Sequence, residues 1–200
     1  MLSHALNRTE FGNPEHEGNV PSLEEANELL DAWVKNESLK RHMRQVSALM
    51  KAWAAEQEQL GETEQQKWEI AGLLHDADWD QWPDEHCRKI IEELERREVA
   101  PSIIRAIASH GPSYFGVAPR SKMDKMLYAF DELSGLIHAY SLMRPTAYEG
   151  MAPKGVRKRL KDKSFAAQVS RDDIRDACER AEIDLGDLIS FIIPHQAKVE

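Results

Sequence analysis

The spacing of apolar residues between positions 39 and 53 restricts the fold more than any other feature of this sequence. Apolar side chains recur there every three or four residues, which is the repeat of one face of an α-helix. The members of this stripe are Leu39, Met43, Val46, Leu49, Met50 and Trp53. Glycine and proline are few, at 10 and 9 of 200 residues, and no long alternation of β-branched residues interrupts the helical repeats. The sequence therefore predicts an all-α protein with a single domain.

Capping and helix-breaking residues indicate where helices begin and end. Ser22 followed by Glu25 has the spacing of a capping box, which predicts a helix that begins there. Pro83 and Pro101 each stand where a first helical residue is expected, and Arg144-Pro145 ends a long helix that begins at Met123. Two more helices are predicted over about 171–182 and 184–194.

Segments without a helical repeat divide the chain. Residues 1–21 predict a flexible N-terminal arm, and residues 111–121, GPSYFGVAPRS, predict a loop. The predicted domain covers residues 22–200, with a metal-site core over 38–145, a basic segment over 154–163 and C-terminal helices over 171–194.

Composition excludes several classes of protein. The two cysteines, Cys87 and Cys178, are too few for a disulfide framework and fit a reducing compartment. No stretch approaches the roughly 18 consecutive apolar residues of a membrane span, and the first residues lack the features of a signal peptide. A net charge of −9 argues against broad nucleic-acid binding. We expect a cytoplasmic protein without membrane contact, and its oligomeric state stays open.

Three histidines lie on helix faces that should be apolar. His42 is within the stripe of the second helix, His75 shares a face with Trp68, and His110 is in line with Ile107. A buried imidazole needs a polar partner. One such histidine alone is more often a core residue bonded to a carbonyl, but three of them favour a common site. His75 also begins a segment rich in aspartate, HDADWDQWPDEH.

The order of these residues resembles that of the HD-domain superfamily of metal-dependent phosphohydrolases. The similarity covers about residues 22–170 and is greatest to small stand-alone bacterial proteins described as predicted HD hydrolases. The similar segments are NESLKRHMRQV, AGLLHDADWDQWPDEH, AIASHG and AFDELSGLIHAYSLMRP. The resemblance implies an HD-type helical bundle, for which the sequence predicts about seven to nine helices.

The resemblance also implies a set of metal ligands. The first metal would be held by His42, His75, Asp76 and Asp131, and the second by Asp76, His86 and His110. Imidazole and carboxylate suit Fe, Mn, Ni, Co or Zn, with Mg a further candidate, and only a carboxylate has two oxygens with which to bridge two cations. We therefore expect one or two divalent transition-metal ions, with Asp76 as the bridge. The alternative for His86 is a solvated position in the first turn of a helix.

Other residues near the dipeptide have structural interpretations. Asp78 and Asp80 are expected to be solvated or to support the site, with a catalytic proton shuttle as the alternative. Trp79 and Trp82 are expected to pack between helices rather than to stack on a substrate. His138 follows Asp131 by two turns, and we expect it to lie in the core or to support the site.

A basic segment follows the long helix. KGVRKRLKDK carries six cationic residues within ten positions, and arginine and lysine both bind phosphate. The predicted catalytic residues are Asp76, Lys154 and Arg144. The predicted phosphate-binding residues are Arg144, Lys154, Arg157, Lys158 and Lys163. The alternative for this segment is a solvated surface that balances an acidic protein.

These expectations lead to one preferred function and two alternatives. A dinuclear metal site with cationic residues nearby predicts hydrolysis of a small phosphomonoester or phosphodiester, such as a nucleotide. The first alternative also follows from the resemblance: some HD proteins with this ligand set hold a mixed-valence di-iron centre and are oxygenases. The second is a binding or sensor module that keeps the metal for stability.

Overall fold

The computed structural model describes residues 4–13 and 15–199, and it is all-helical, as predicted. These residues form ten α-helices and one short 3-10 helix, and their only β-pairing is a single bridge between Asn19 and Val99. The helices are α1 (Leu23–Trp33), α2 (Glu37–Glu56), α3 (Glu62–Leu74), α4 (Arg88–Arg96), α5 (Pro101–Ala108), α6 (Pro112–Phe115), α7 (Lys122–Leu142), α8 (Pro153–Lys161), α9 (Arg171–Ala181) and α10 (Leu185–Gln196).

Helices α1 to α3 are formed and packed as their sequences predict. The capping box at the start of α1 is present, with Ser22 and Glu25 each bonded to the backbone of the other. The apolar stripe of α2 is largely buried against α3, α7 and α10, and α2 and α3 approach closely at Gly72. A Cβ on Gly72 would lie 2.8 Å from the Cα of Ser47, so only glycine permits this approach.

Helix α7 is the central element, because it packs against α2, α5, α9 and α10. Its buried residues include Phe130, Leu133 and Ile137, which belong to the main hydrophobic core. The packing of α2 on α7 carries His42 to Asp131. The core thus fixes the distance between residues that are 89 positions apart.

Three segments differ from the predicted helices, and one of them is the basic segment, most of which forms the helix α8. The helix predicted from Pro83 is a 3-10 turn over Pro83–Glu85, followed by a break and then by α4. The break occurs because His86 has an extended backbone while its imidazole turns inward. The predicted loop over residues 111–121 contains the single-turn helix α6, which accounts for one helix beyond the expected number.

The described part of the predicted N-terminal arm packs on the domain. The Leu6 N–H donates to the Phe115 carbonyl at 3.1 Å, Arg8 pairs with Glu95 at 2.9 Å, and Phe11 is buried. Residues 1–3 and 14 of this arm, and residue 200 at the end of the predicted domain, lie outside the described residues. The domain boundaries stay a prediction.

Among the helices described, none combines the length and the apolar character needed to cross a bilayer.

Candidate metal centre

The six predicted ligands come together where four helices and one loop meet. His42 lies in the second turn of α2, and Asp131 lies in the middle of α7. His75 and Asp76 directly follow α3, His110 follows α5, and His86 lies in the break before α4. The clusters are His42, His75, Asp76 and Asp131, and then Asp76, His86 and His110; within each cluster the ligand atoms lie within 4.8 Å of one another.

The two oxygens of Asp76 face different histidines. Its Oδ2 lies 3.5 Å from the Nε2 of His75 and 4.0 Å from the Nε2 of His42. Its Oδ1 lies 3.3 Å from the Nε2 of His86 and 3.4 Å from the Nε2 of His110. Asp76 therefore stands between two imidazole pairs, which is the position that a bridging carboxylate needs.

Asp131, on α7, completes the first cluster. Its Oδ1 lies 3.0 Å from the Nε2 of His42 and 3.5 Å from the Nε2 of His75. Two carboxylates and two imidazoles thus surround one small volume, which is a ligand set suited to a divalent transition metal.

The backbone sets the orientation of two of these histidines. The Nδ1 of His75 lies 2.9 Å from the Gly72 carbonyl, and the Nδ1 of His110 lies 2.5 Å from the Ile107 carbonyl. A carbonyl only accepts, so each Nδ1 is assigned a proton and each Nε2 faces the site, where it can hold a proton or a metal ion. The Nε2 of His75 is buried and has no hydrogen-bond partner among the described residues. A buried polar atom without a partner is unfavourable, and a cation at this position would satisfy it.

His86 is oriented by a buried carboxylate instead. The Nδ1 of His86 donates to the Oδ1 of Asp78 at 2.6 Å, and the Oδ2 of Asp78 accepts from the Ile90 N–H at 3.0 Å. Asp78 is fully buried and His86 is 5% exposed, so the solvated alternatives for both residues are wrong. Asp78 supports the site, which was the other alternative. The sequence alone gives no signal that separates Asp78 from its exposed neighbours.

Charge within the clusters favours a cation. Burial by itself would lower the pKa of His75, but the carboxylates of Asp76 and Asp131 outweigh it and raise that pKa to about 9. Burial also opposes the charge on Asp76, yet the surrounding imidazoles hold its pKa well below the ordinary value. The pKa of Asp131 is lowered in the same way. The site therefore attracts positive charge, which a proton or a metal ion supplies.

Glu132 is a further carboxyl beside the centre that sequence reasoning missed. Burial, and then the negative charge of Asp131, raise its pKa to about 8. One of its oxygens accepts from the Ser170 N–H at 3.1 Å, just before α9. Its position next to a predicted ligand in the sequence was the only available signal.

The predicted phosphate-binding residues lie outside the two clusters. The Arg144 guanidinium donates to the carbonyls of Ala147 and Glu149, at 2.7 and 2.6 Å. Arg157 pairs with Asp184 at 3.1 Å. The exposed side chains of this set are Lys154, Arg157, Lys158 and Lys163.

The placement of α8 explains this separation. α8 packs against α7 near Tyr140, since a Cβ on Gly155 would lie 3.0 Å from the Tyr140 hydroxyl. Tyr140 follows Asp131 by nine residues, which corresponds to about 13 Å along a helix. The phosphate roles of the basic segment therefore stay predictions.

The tryptophans near the dipeptide differ in their surroundings. Trp82 packs edge-on against Trp33, with ring centroids 4.8 Å apart, as expected of a packing residue. Trp79 is 47% exposed, and its ring centroid lies 4.9 Å from that of His86. Trp79 therefore lies at the rim of the centre and not in the core.

Two more predicted supporting residues have clear partners. Asp80 accepts from the N–H groups of Lys35 and Asn36, at 2.7 and 3.0 Å, and so holds the link between α1 and α2. The Nδ1 of His138 lies 3.0 Å from the Tyr148 hydroxyl. His138 is outside both clusters, as the resemblance implied.

Comparison with protein families identifies the segment that carries the centre. Residues 39–136 match the HD domain family, and they include all six clustered residues. The chain thus contains an HD domain, and its resemblance to the HD superfamily, a superfamily of metal-dependent hydrolases, is confirmed. Comparison with curated proteins and with solved structures found no match.

Proposed function

We propose that this protein is a metal-dependent phosphohydrolase that cleaves a small phosphomonoester or phosphodiester, such as a nucleotide, with water. The observation that carries the proposal is the position of the Asp76 carboxylate between the two clusters. Its Oδ2 faces His42 and His75, while its Oδ1 faces His86 and His110. This arrangement suits two cations that share one carboxylate. Two cations with a shared ligand are suited to hydrolysis at phosphorus.

The residues present fit such a pair of ions. The buried Nε2 of His75 has no hydrogen-bond partner among the residues that the structure describes, and hydrogen bonds to Gly72, Asp78 and Ile107 fix three of the imidazoles. When bound, divalent cations lower the pKa of a water molecule and neutralise charge on the phosphate oxygens. The proposed metals are Fe, Mn, Co, Ni or Zn, with Mg as a further candidate.

The chain also shields the second cluster from water. The Phe115 ring packs against the rings of His86 and His110, with centroids 5.2 and 5.0 Å apart. An apolar wall strengthens electrostatic interactions inside a site, because it lowers the local dielectric. Phe115 therefore supports both the orientation of these ligands and their affinity for a cation.

Roles outside the clusters complete the proposal. We propose that Arg144 and Lys154 assist catalysis, and that Arg157, Lys158 and Lys163 contribute to phosphate binding once substrate is bound. Cys87 and Cys178 are free thiols in the structure, which supports a cytoplasmic location.

The test begins with metal analysis of protein purified without chelator and without oxygen. We expect one to two transition-metal ions per chain, and release of inorganic phosphate from at least one member of a panel of phosphate esters. The same rate with and without dioxygen supports hydrolysis. Asp76→Ala is the inactive control.

Other outcomes separate the alternatives. The same ligands serve both hydrolysis and oxygenation, so only an assay separates the two reactions. Turnover that stops without dioxygen and returns when dioxygen is admitted contradicts the proposal and indicates a di-iron oxygenase. Bound metal with no turnover of any ester indicates a metal-stabilised binding or sensor module. Metal at background level contradicts all three functions.

A further inference from the structure

Gly135 is a glycine in the middle of α7 that the fold does not require. Glycine is less favourable than alanine inside a helix, so a helical glycine usually has a packing or conformational reason. Gly72 has such a reason, because its Cβ would collide with the backbone of α2. Apart from its own turn of helix, a Cβ on Gly135 would meet no atom of the described residues within 4 Å. The space beside Gly135 is therefore open.

This open space adjoins the metal centre. Gly135 follows Asp131 by four residues, so the two residues lie on the same face of α7. The partly exposed residues of this stretch are Asp131, Glu132, Gly135, His138 and Ala139, whereas residues 133, 134, 136 and 137 are buried. An exposed face thus begins at the first cluster and continues along α7.

Helix α2 borders the same space. His42 contacts Asp131 at 3.0 Å, and the Nε2 of Gln45 lies 3.4 Å from the Nδ1 of His138. These two contacts lie on either side of Gly135 along α7. Arg41 is one turn before Gln45 on α2, so it belongs to the edge that faces this stretch.

Arg41 is an exposed cation at this edge. Its neighbours Lys40 and Arg44 both pair with Asp31, at 2.8 and 3.8 Å. Arg41 forms no ion pair with a carboxylate in the part of the chain that the structure describes. Burial, and then the charge of Arg41, lower the pKa of His138, which is the residue of α7 that Gln45 contacts.

We propose that the open face beside Gly135, with Arg41 at its edge, binds the part of the substrate next to the reacting phosphate. Gly135 leaves room for this part, and Arg41 binds an anionic group on it, either a second phosphate or a carboxylate. A guanidinium forms paired hydrogen bonds with both of these groups. The inference rests on the proposed function, since it takes the reacting phosphate to lie at the metal centre.

The test measures binding, so it does not depend on turnover. The probes are two matched pairs of phosphate esters. In the first pair, 3-phosphoglycerate has a carboxylate that glycerol 3-phosphate lacks. In the second pair, fructose 1,6-bisphosphate has a phosphate that fructose 6-phosphate lacks. Each Kd is measured on the Mn²⁺-loaded protein by calorimetry. We expect the added anion to strengthen binding in at least one pair, and the pair that responds identifies the anion.

Two variants test the two residues. Arg41→Gln should remove the preference for the second anion, with a loss of about tenfold or more in affinity, as is usual for hydrogen bonds to charged groups. Gly135→Leu should weaken binding of the same probe by about tenfold or more, because the added side chain occupies the open space beside Gly135. Metal content should stay unchanged in both variants. Arg44→Gln and Gly61→Leu are the controls, since Gly61 also faces open space, at the start of α3.

A third variant tests whether Gly135 has a structural role. Gly135→Ala should raise the unfolding temperature of the ligand-free protein by about 2–4 °C, as expected where alanine replaces a helical glycine in open space. A lower unfolding temperature would show that the fold itself requires Gly135, and would overturn its role in substrate binding.

The remaining outcomes are also decisive. Wild-type affinity in Arg41→Gln and Gly135→Leu, or no binding of any probe by the wild type, overturns the inference. Ester hydrolysis that persists beside such a result leaves the proposed function intact. Selective binding of a probe with two anions, without hydrolysis of any ester, supports the binding role of Arg41 and Gly135 and contradicts the proposed function instead.

Discussion

The Oδ1 of Asp78 lies 2.6 Å from the Nδ1 of His86, and both side chains are buried. The other oxygen of Asp78 accepts from the Ile90 N–H in the first turn of α4. The imidazole is thereby held with its Nε2 3.3 Å from the Oδ1 of Asp76. Asp78 thus connects the start of α4 to the second cluster, and it determines which ring nitrogen faces a cation.

Asp78→Ala should weaken binding of the second metal by roughly ten- to a hundredfold, as is usual when the residue that orients a histidine ligand is removed. It should also cost about 1–3 kcal/mol of unfolding free energy, because the Ile90 N–H loses its acceptor. Metal titration and chemical denaturation measure the two effects. Asp84→Ala is the control, since Asp84 is an exposed acid in the same loop. Equal metal affinity in the two variants would contradict the role of Asp78.

Asp76→Ala should have the largest effect on metal content of any single ligand change. It removes the only residue common to both clusters, so each proposed cation loses a ligand. We expect metal near background and no phosphate release, as measured by elemental analysis and an ester assay. Wild-type metal content in folded Asp76→Ala protein would show that the assignment is wrong.

His86→Ala and His110→Ala should each lose one metal and keep the other. Both imidazoles face the Oδ1 of Asp76 and not its Oδ2. The first cluster consists of Asp76 with His42, His75 and Asp131, so it does not include either of them. Metal-to-protein ratios should fall from about two to about one per chain. Equal loss of both ions, or of neither, would favour a single-metal site.

The metal-free protein should become less stable as pH rises from 6.5 to about 9. The pKa of His75 is about 9 when folded, against an ordinary value of 6.5, so the stabilisation is complete below 6.5 and is lost as pH rises through 9. The raised pKa of Glu132, about 8, acts in the same direction, since the folded state holds that proton more strongly. Metal affinity should rise over the same range, because the cation replaces the proton of His75.

Thermal unfolding of chelator-treated and Mn²⁺-loaded protein across this pH range tests that prediction. His75→Gln is the control, because glutamine does not titrate. A metal-free protein whose stability is constant or rises over the range would contradict it.

The sequence by itself predicted most of the helices and the residues that form the two clusters. Apolar spacing, the Ser22 capping box and the prolines are local signals, and local signals are sufficient for helices because their hydrogen bonds are local. The motif order of His42, His75-Asp76 and Asp131 was likewise readable, because the resemblance to the HD superfamily depends on residue types and their order.

Only the tertiary structure decided how these residues act on one another. The burial of Asp78 and its bond to His86, the break before α4, and the open space beside Gly135 all depend on contacts between separate elements. The sequence likewise did not predict that the Arg144 guanidinium donates to nearby backbone carbonyls. A sequence pattern predicts which face of a helix is apolar, but it does not predict which element packs against that face. The partners of a polar side chain are therefore fixed only when the helices pack.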